Sequence, residues 1–274
     1  MNYYCLPLEG RSIDIVYYPA KNENAPLIIG FHGGGFLFGG CALDDAMWDA
    51  MRNQLDVNIA SIGYRKSPDY MYPCAIEDAY DSAIYLKEHS EEFGFNPEQI
   101  STFGSSAGAN IAACVCIFAK EKGGITFKNQ ILNYPFIDSD TDPLAKGRGS
   151  LEGPIMYVFN ELYCKAEETR LPTVSPIFAD KKQLEGLPKA IIITAENDNL
   201  RREGEVYVNL LREAGVEVEE NMATGMPHGY YEYGFGGNEE SSFLPENIIA
   251  LMSSGAIKKA AQEALDFIDR EYIR

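Results

Sequence analysis

The 274-residue chain is poor in histidine, tryptophan and positive charge. It holds three His and one Trp, and its 23 Lys and Arg stand against 41 Asp and Glu, for a formal net charge of -18. Such a deficit argues against nucleic acid as a partner, because phosphate contacts rest on Lys and Arg. It equally disfavours docking on an anionic bilayer. No stretch approaches the roughly 18 consecutive apolar residues of a membrane span. Met1–Gly10, with Pro7 and Glu9, lacks the basic-then-apolar pattern of a secretory signal, so a cytoplasmic location is expected. The six cysteines (Cys5, Cys41, Cys74, Cys114, Cys116, Cys164) include no C-x-x-C pair, and none of them neighbours a His. Cys114 and Cys116, the close pair, sit in a small-apolar helical run and read as reduced, buried structural thiols rather than zinc ligands. With no G-x-G-x-x-G, no phosphate-loop lysine and no repeat, neither a cofactor nor a metal is expected.

What is present is an ordinary globular share of apolar residues, 46%, in a length that suits one core, so residues 1–274 are read as a single domain. Arg11–Tyr18 alternates polar and apolar like a half-exposed strand. Leu27–Phe31, Asn58–Tyr64, Ile100–Phe103, Gln130–Asn133 and Lys189–Ala195 are continuous apolar runs of the kind buried in parallel sheets. Helical periods lie between them. Ile76, Ala79, Tyr80 and Ala83 form one stripe; Val206, Leu210, Leu211 and Ala214 form another, stopped by Gly215. A third runs from Ile257 to Ile268. Such alternation predicts an α/β fold with a mostly parallel sheet covered on both faces. Asp138–Leu171 breaks the rhythm, and a loop of this length is expected to be a small lid inserted in the domain. Gly234–Asn247 reads as a surface loop.

Two segments carry chemistry. Gly104-Ser105-Ser106-Ala107-Gly108 stands between an apolar strand and a small-residue helix, the setting that G-x-S-x-G requires of a nucleophile elbow. The glycines are steric: the turn at Ser106 brings the residues two before and two after it together, where side chains would collide. His32-Gly33-Gly34-Gly35-Phe36 ends the strand before it and leaves main-chain N–H groups free to converge on an oxyanion, together with that of Ala107. Of the three histidines, His32 belongs to the glycine loop and His89 to a polar helix end, which leaves His228 as the base. It also comes last, as the order nucleophile, acid, base demands. Asp138, Asp140, Asp142 and Asp180 lie in irregular or surface segments. Asp198 closes an apolar strand and is the preferred acid, with Glu196 the alternative and a turn or capping role open to both. Trp48 is a core residue or, less simply, part of a pocket wall.

From Leu27 to His228 the chain resembles the hormone-sensitive-lipase-type carboxylesterases of the α/β-hydrolase superfamily. Besides His32–Phe36 and Gly104–Gly108, the resemblance rests on Tyr64-Arg65 with Pro73, Glu77 and Asp78, on Val174-Ser175-Pro176, and on Asp198-Asn199-Leu200-Arg201 with Glu203-Gly204. It implies an eight-stranded sheet, Ser106 as nucleophile, Asp198 as orienting acid, His228 as base, and Gly33, Gly34 and Ala107 as oxyanion donors. Three positions depart from the family: Ser105 where Asp is frequent, Ala109 where Gly follows, and Asn199 where Pro is usual. Members typically carry a helical cap ahead of the glycine loop, whereas about 26 residues precede the first buried strand here. A reduced cap formed by 138–171 is therefore expected, and with it a serine esterase for short-chain, chiefly acetyl, esters of small molecules. A peptidase or amidase on the same fold, or a non-catalytic ligand receptor, are the competing readings. A homodimer through a helix or sheet-edge surface is compatible with the sequence.

Overall fold

The computed structural model describes residues 1–151, 153–236 and 255–272. Strands β1 (Asn2–Leu8), β2 (Arg11–Tyr18), β3 (Ala25–Phe31), β4 (Asn58–Ile62), β5 (Phe95–Ser105), β6 (Asn129–Asn133), β7 (Lys189–Asn197) and β8 (Val218–Pro227) form one sheet in the order 1-2-4-3-5-6-7-8. The β1–β2 and β2–β4 pairings are antiparallel, and every later pairing is parallel. The helices are α1 (Asp45–Leu55), α2 (Cys74–Glu88), α3 (Ser90–Phe93), α4 (Ala107–Lys122), α5 (Gly153–Tyr163), α6 (Lys181–Leu184), α7 (Arg201–Glu213), α8 (Tyr230–Gly234) and α9 (Gly255–Glu271). No helix among the described residues is long and apolar enough to cross a membrane.

Strand alternation divides the core into two layers. Leu27, Ile29 and Phe31 of β3 point into the layer that holds buried faces of α2, α4 and α7, while Ile28 joins the opposite layer with α1 and α9. Because both faces are covered, β3, β4 and β6 are buried throughout, which is why they read as unbroken apolar runs. The half-exposed reading of β2 holds only for its first half; Val16 and Tyr18 are buried against the α1 layer. Trp48 is fully buried on α1. Its ring fills the space where a Cβ at Gly30 would lie, 2.6 Å away, so it belongs to the core and not to a pocket. Cys114 and Cys116 are likewise buried and unpaired on α4. His89 is half-buried, stacked on Tyr85 with its Nδ1 against the Tyr85 carbonyl.

Residues 138–171 contain a 3-10 turn at Pro143–Lys146, helix α5 and a second turn at Ala166–Glu168. Met156, Phe159 and Tyr163 recur at i, i+3 and i+7 and form the buried face of α5. Its aromatic and β-branched composition hides that helical period. Part of the surface loop expected at Gly234–Asn247 lies outside the described residues.

Candidate active site

The sheet delivers its chemistry at the carboxyl ends of its parallel strands. Between β5 and α4 the chain turns at Ser106, with φ 56° and ψ -118°, a conformation that strains any residue with a side chain. Tight packing holds it there. A Cβ on Gly104 would lie 2.1 Å from the Gly108 carbonyl oxygen, and one on Gly108 would lie 2.0 Å from that of Phe31. The first glycine thus lets the two arms of the turn meet, whereas the second lets the turn sit on the end of β3. Backbone bonds complete the clamp: the Ser106 N–H donates to Asn133 O at 2.9 Å, and the Ser106 carbonyl accepts from Asn110 and Phe136.

His228 follows β8 and faces this turn. Its Nε2 is 2.9 Å from Ser106 Oγ, and its Nδ1 is 2.7 Å from Asp198 Oδ2. Asp198 lies just past β7, its side chain fully buried; Oδ1 accepts from the Leu200 N–H at 3.0 Å, so the turn role and the His contact coexist in one carboxylate. Burial opposes the imidazolium form of His228, but the charge and hydrogen bond of Asp198, with Glu232 and Glu203 behind it, outweigh that and raise its pKa. Glu196, the alternative acid, instead accepts from the Gly225 N–H. Asp138 and Asp142 accept from backbone N–H groups of their own loop, Asp140 pairs with Arg170, and Asp180 caps α6.

The glycine loop closes another side. Gly33, Gly34 and Gly35 line one cavity of about 270 Å³ with Ser106 and His228. A Cβ on Gly33 would stand 3.3 Å from the Ser105 carbonyl, which places that loop beside the serine. Ala107 is the first residue of α4, where backbone N–H groups have no intrahelical acceptor. His32 points away from the reaction centre: it stacks on Tyr64, its Nδ1 lies 2.7 Å from the Gly33 carbonyl, and burial pushes its pKa down to about 4. It is a structural, neutral residue.

Several residues around the site escaped sequence reasoning. Leu151 and Phe159 of the 138–171 segment line the cavity, as do Asp44, Tyr134, Glu232 and Tyr233. Ser150 Oγ accepts from the His228 N–H at 2.7 Å. Asn199 receives the Leu151 N–H and donates to the Gly147 carbonyl, tying the segment to the acid loop. Asn199 had a signal as a departure from the family pattern, and Ser150, Leu151 and Phe159 lie in the segment expected to be the lid. The other shared motifs turn out to be braces. Asp78 accepts from Arg11 and Arg65, Ser175 from the Ser139 N–H, and Glu203 from the Ile137 N–H and Lys146. Among the described residues no group of side chains could hold a metal ion.

Known proteins resemble this chain in sequence and in fold. The family model of the alpha/beta hydrolase fold matches residues 28–232. The chain is 33% identical over 231 residues to the carboxylesterase NlhH of Mycobacterium tuberculosis, covering 81% of this chain and 71% of that one. It is 29% identical to an arylesterase of Saccharolobus solfataricus, over 82% of this chain and 75% of the relative. The crystal structure of a thermostable esterase from Pseudomonas putida ECU1011 superposes with a TM-score of 0.85 at 28% identity, covering all of this chain and 83% of that one.

Proposed function

Since this chain belongs to the hormone-sensitive-lipase-type carboxylesterases of the α/β-hydrolase superfamily, and is thereby a serine carboxylic ester hydrolase, we propose that Ser106, His228 and Asp198 are its catalytic triad and that it acts on short-chain esters, acetyl esters foremost. The observation that carries the triad is the pair of contacts at 2.9 and 2.7 Å linking hydroxyl, imidazole and carboxylate. His228 takes the Ser106 proton at Nε2 as Oγ attacks the acyl carbon, and Asp198 holds the tautomer and stabilises the imidazolium. The negative charge that develops on the carbonyl oxygen is met by the N–H groups of Gly33, Gly34 and Ala107. The alcohol leaves with the proton from His228. Water, deprotonated by the same imidazole, then attacks the acyl-enzyme and releases the acid.

The acyl-length reading is supported by volume. About 270 Å³ lies below the usual 300–1,000 Å³ of small-molecule sites. Phe159 of α5 packs so close to the glycine loop that a Cβ on Gly35 would meet its ring at 2.4 Å. In this reading 138–171 is the cap, and Leu151 and Phe159 are what shorten the acyl space. Ser106→Ala is expected to abolish release of nitrophenol from a nitrophenyl acetate ester; turnover at the wild-type rate would refute the nucleophile. Across an acyl series, kcat/KM is expected to fall from acetyl to octanoyl, and the reverse order would refute the length preference.

A further inference from the structure

Two carboxyl groups line the reaction cavity and take no part in the chemistry above. Asp44, just before α1, is 7% exposed, and among the described residues its carboxyl receives no hydrogen bond, not even from the first turn of α1. Glu232, on α8 four residues after His228, accepts from the Tyr134 hydroxyl at Oε2, while Oε1 is buried without a partner. Both line the cavity that contains Ser106 and His228, and both border the adjoining hollow beside Ala42 and Met47. Burial raises the pKa of each; the charge of Glu232 adds to this for Asp44, while hydrogen bonds from Ser105 and Tyr134 work against it for Glu232. Two desolvated acids this close cannot both ionise at no cost.

What the wall lacks identifies its complement. Among the described residues no Lys or Arg lines the cavity, and the Tyr134 hydroxyl is already committed to Glu232. The aromatic rings of Tyr134, Phe159 and Tyr233 are there instead. An anionic group would be repelled. A neutral hydroxyl could share a hydrogen bond but would leave the repulsion between the two acids in place. A positively charged nitrogen relieves that repulsion and finds ring faces to rest on. With acetyl as the acyl part, only the alcohol can carry it.

We propose that Asp44 and Glu232 form a specificity subsite for a cationic, ammonium-bearing alcohol, so that the preferred substrates are short-chain esters of amino alcohols. This rests on the esterase reading. Acetylcholine and 3,3-dimethylbutyl acetate share a shape and differ by one charge, which makes them the direct probe. In the wild-type enzyme kcat/KM for the choline ester is expected to exceed that of its neutral twin by at least about tenfold, the scale of one partly desolvated cation contact. The ratio is expected to fall toward one in Asp44→Asn and in Glu232→Gln; being a ratio, it is insensitive to lost folded protein. Equal rates for the two esters, a ratio that survives both substitutions, or a monoacetylglycerol outpacing both would overturn the subsite while leaving the esterase reading intact. Cleavage of none of these, nor of nitrophenyl acetate, would defeat the esterase reading and the subsite with it.

Discussion

Proton traffic at His228 is governed by two opposed environments, and the balance is open to measurement. Burial disfavours the imidazolium while Asp198 favours it, and the net result is a pKa above the ordinary 6.5. In the proposed triad His228 must be neutral to accept the Ser106 proton, so activity is expected to be lost as pH falls through that raised value. The acid limb of kcat/KM is accordingly expected above pH 6.5. In Asp198→Asn the main favourable charge is gone, so the limb shifts to lower pH while kcat drops by roughly 10⁴; a limb that stays in place would show that another group titrates. At this scale the sequence was most readable where chemistry is local. A serine between glycines, a His-Gly-Gly-Gly segment and a shortage of histidine narrowed the candidates to residues that the fold brings within hydrogen-bond reach. Asp44 and Glu232 were not readable, because in a chain of net charge -18 an acidic residue stands out only once, like Asp44, it is seen to be buried or, like Glu232, to hold a buried carboxylate oxygen without a partner.

Among the elements, the tightest joint is the one between β5, α4 and the end of β3. A methyl group at Gly108 would have to displace backbone, since the atom it meets at 2.0 Å is the Phe31 carbonyl oxygen. Gly108→Ala is therefore expected to lower Tm sharply or to yield insoluble protein, and a variant with unchanged Tm would contradict the packing described. A second joint is the buried pair Lys146–Glu203, 2.6 Å apart with side chains 4% and 7% exposed, which pins the 138–171 segment to α7. Glu203→Ala strands the ammonium and is expected to cost roughly 3–5 kcal/mol in denaturant unfolding, whereas replacing both partners by apolar residues should recover much of it. Most strands and helices were readable from period, β1 and α5 excepted, but their ends were not. The β5 run seen as Ile100–Phe103 extends to Phe95–Ser105, because pairing resumes at Phe95 beyond a register shift that carries no apolar signal. The Gly215 stop is realised as drawn: its N–H reaches Arg212 O, and that of Val216 reaches Leu211 O.

For the molecule as a whole, the acidic excess that argues against nucleic acid acquires a second meaning. A charge of -18 focuses cations toward a cleft of the same sign. If the subsite takes a cationic alcohol, kcat/KM for acetylcholine is expected to decline as ionic strength rises from about 10 to 150 mM, where the screening length shortens from roughly 30 to 8 Å. The neutral isostere should show no such slope, and a matching slope for both would remove steering as the cause. The overall α/β layering was readable because strands and helices alternate along the chain. The order 1-2-4-3-5-6-7-8 was not readable, and the family resemblance implied eight strands without their order, since strand neighbours are chosen by packing between distant segments.

The tether through Ser150 and Asn199 has a consequence for anyone who would exchange one crossover for another. Residues 147–151 hold the backbone amide of His228 and are themselves fastened to the loop that bears Asp198. A transplanted segment from a relative with proline at 199 would arrive without its mooring. Swapping substrate preference by grafting is thus a two-site operation, in which position 199 must travel with the graft or the imidazole loses its support.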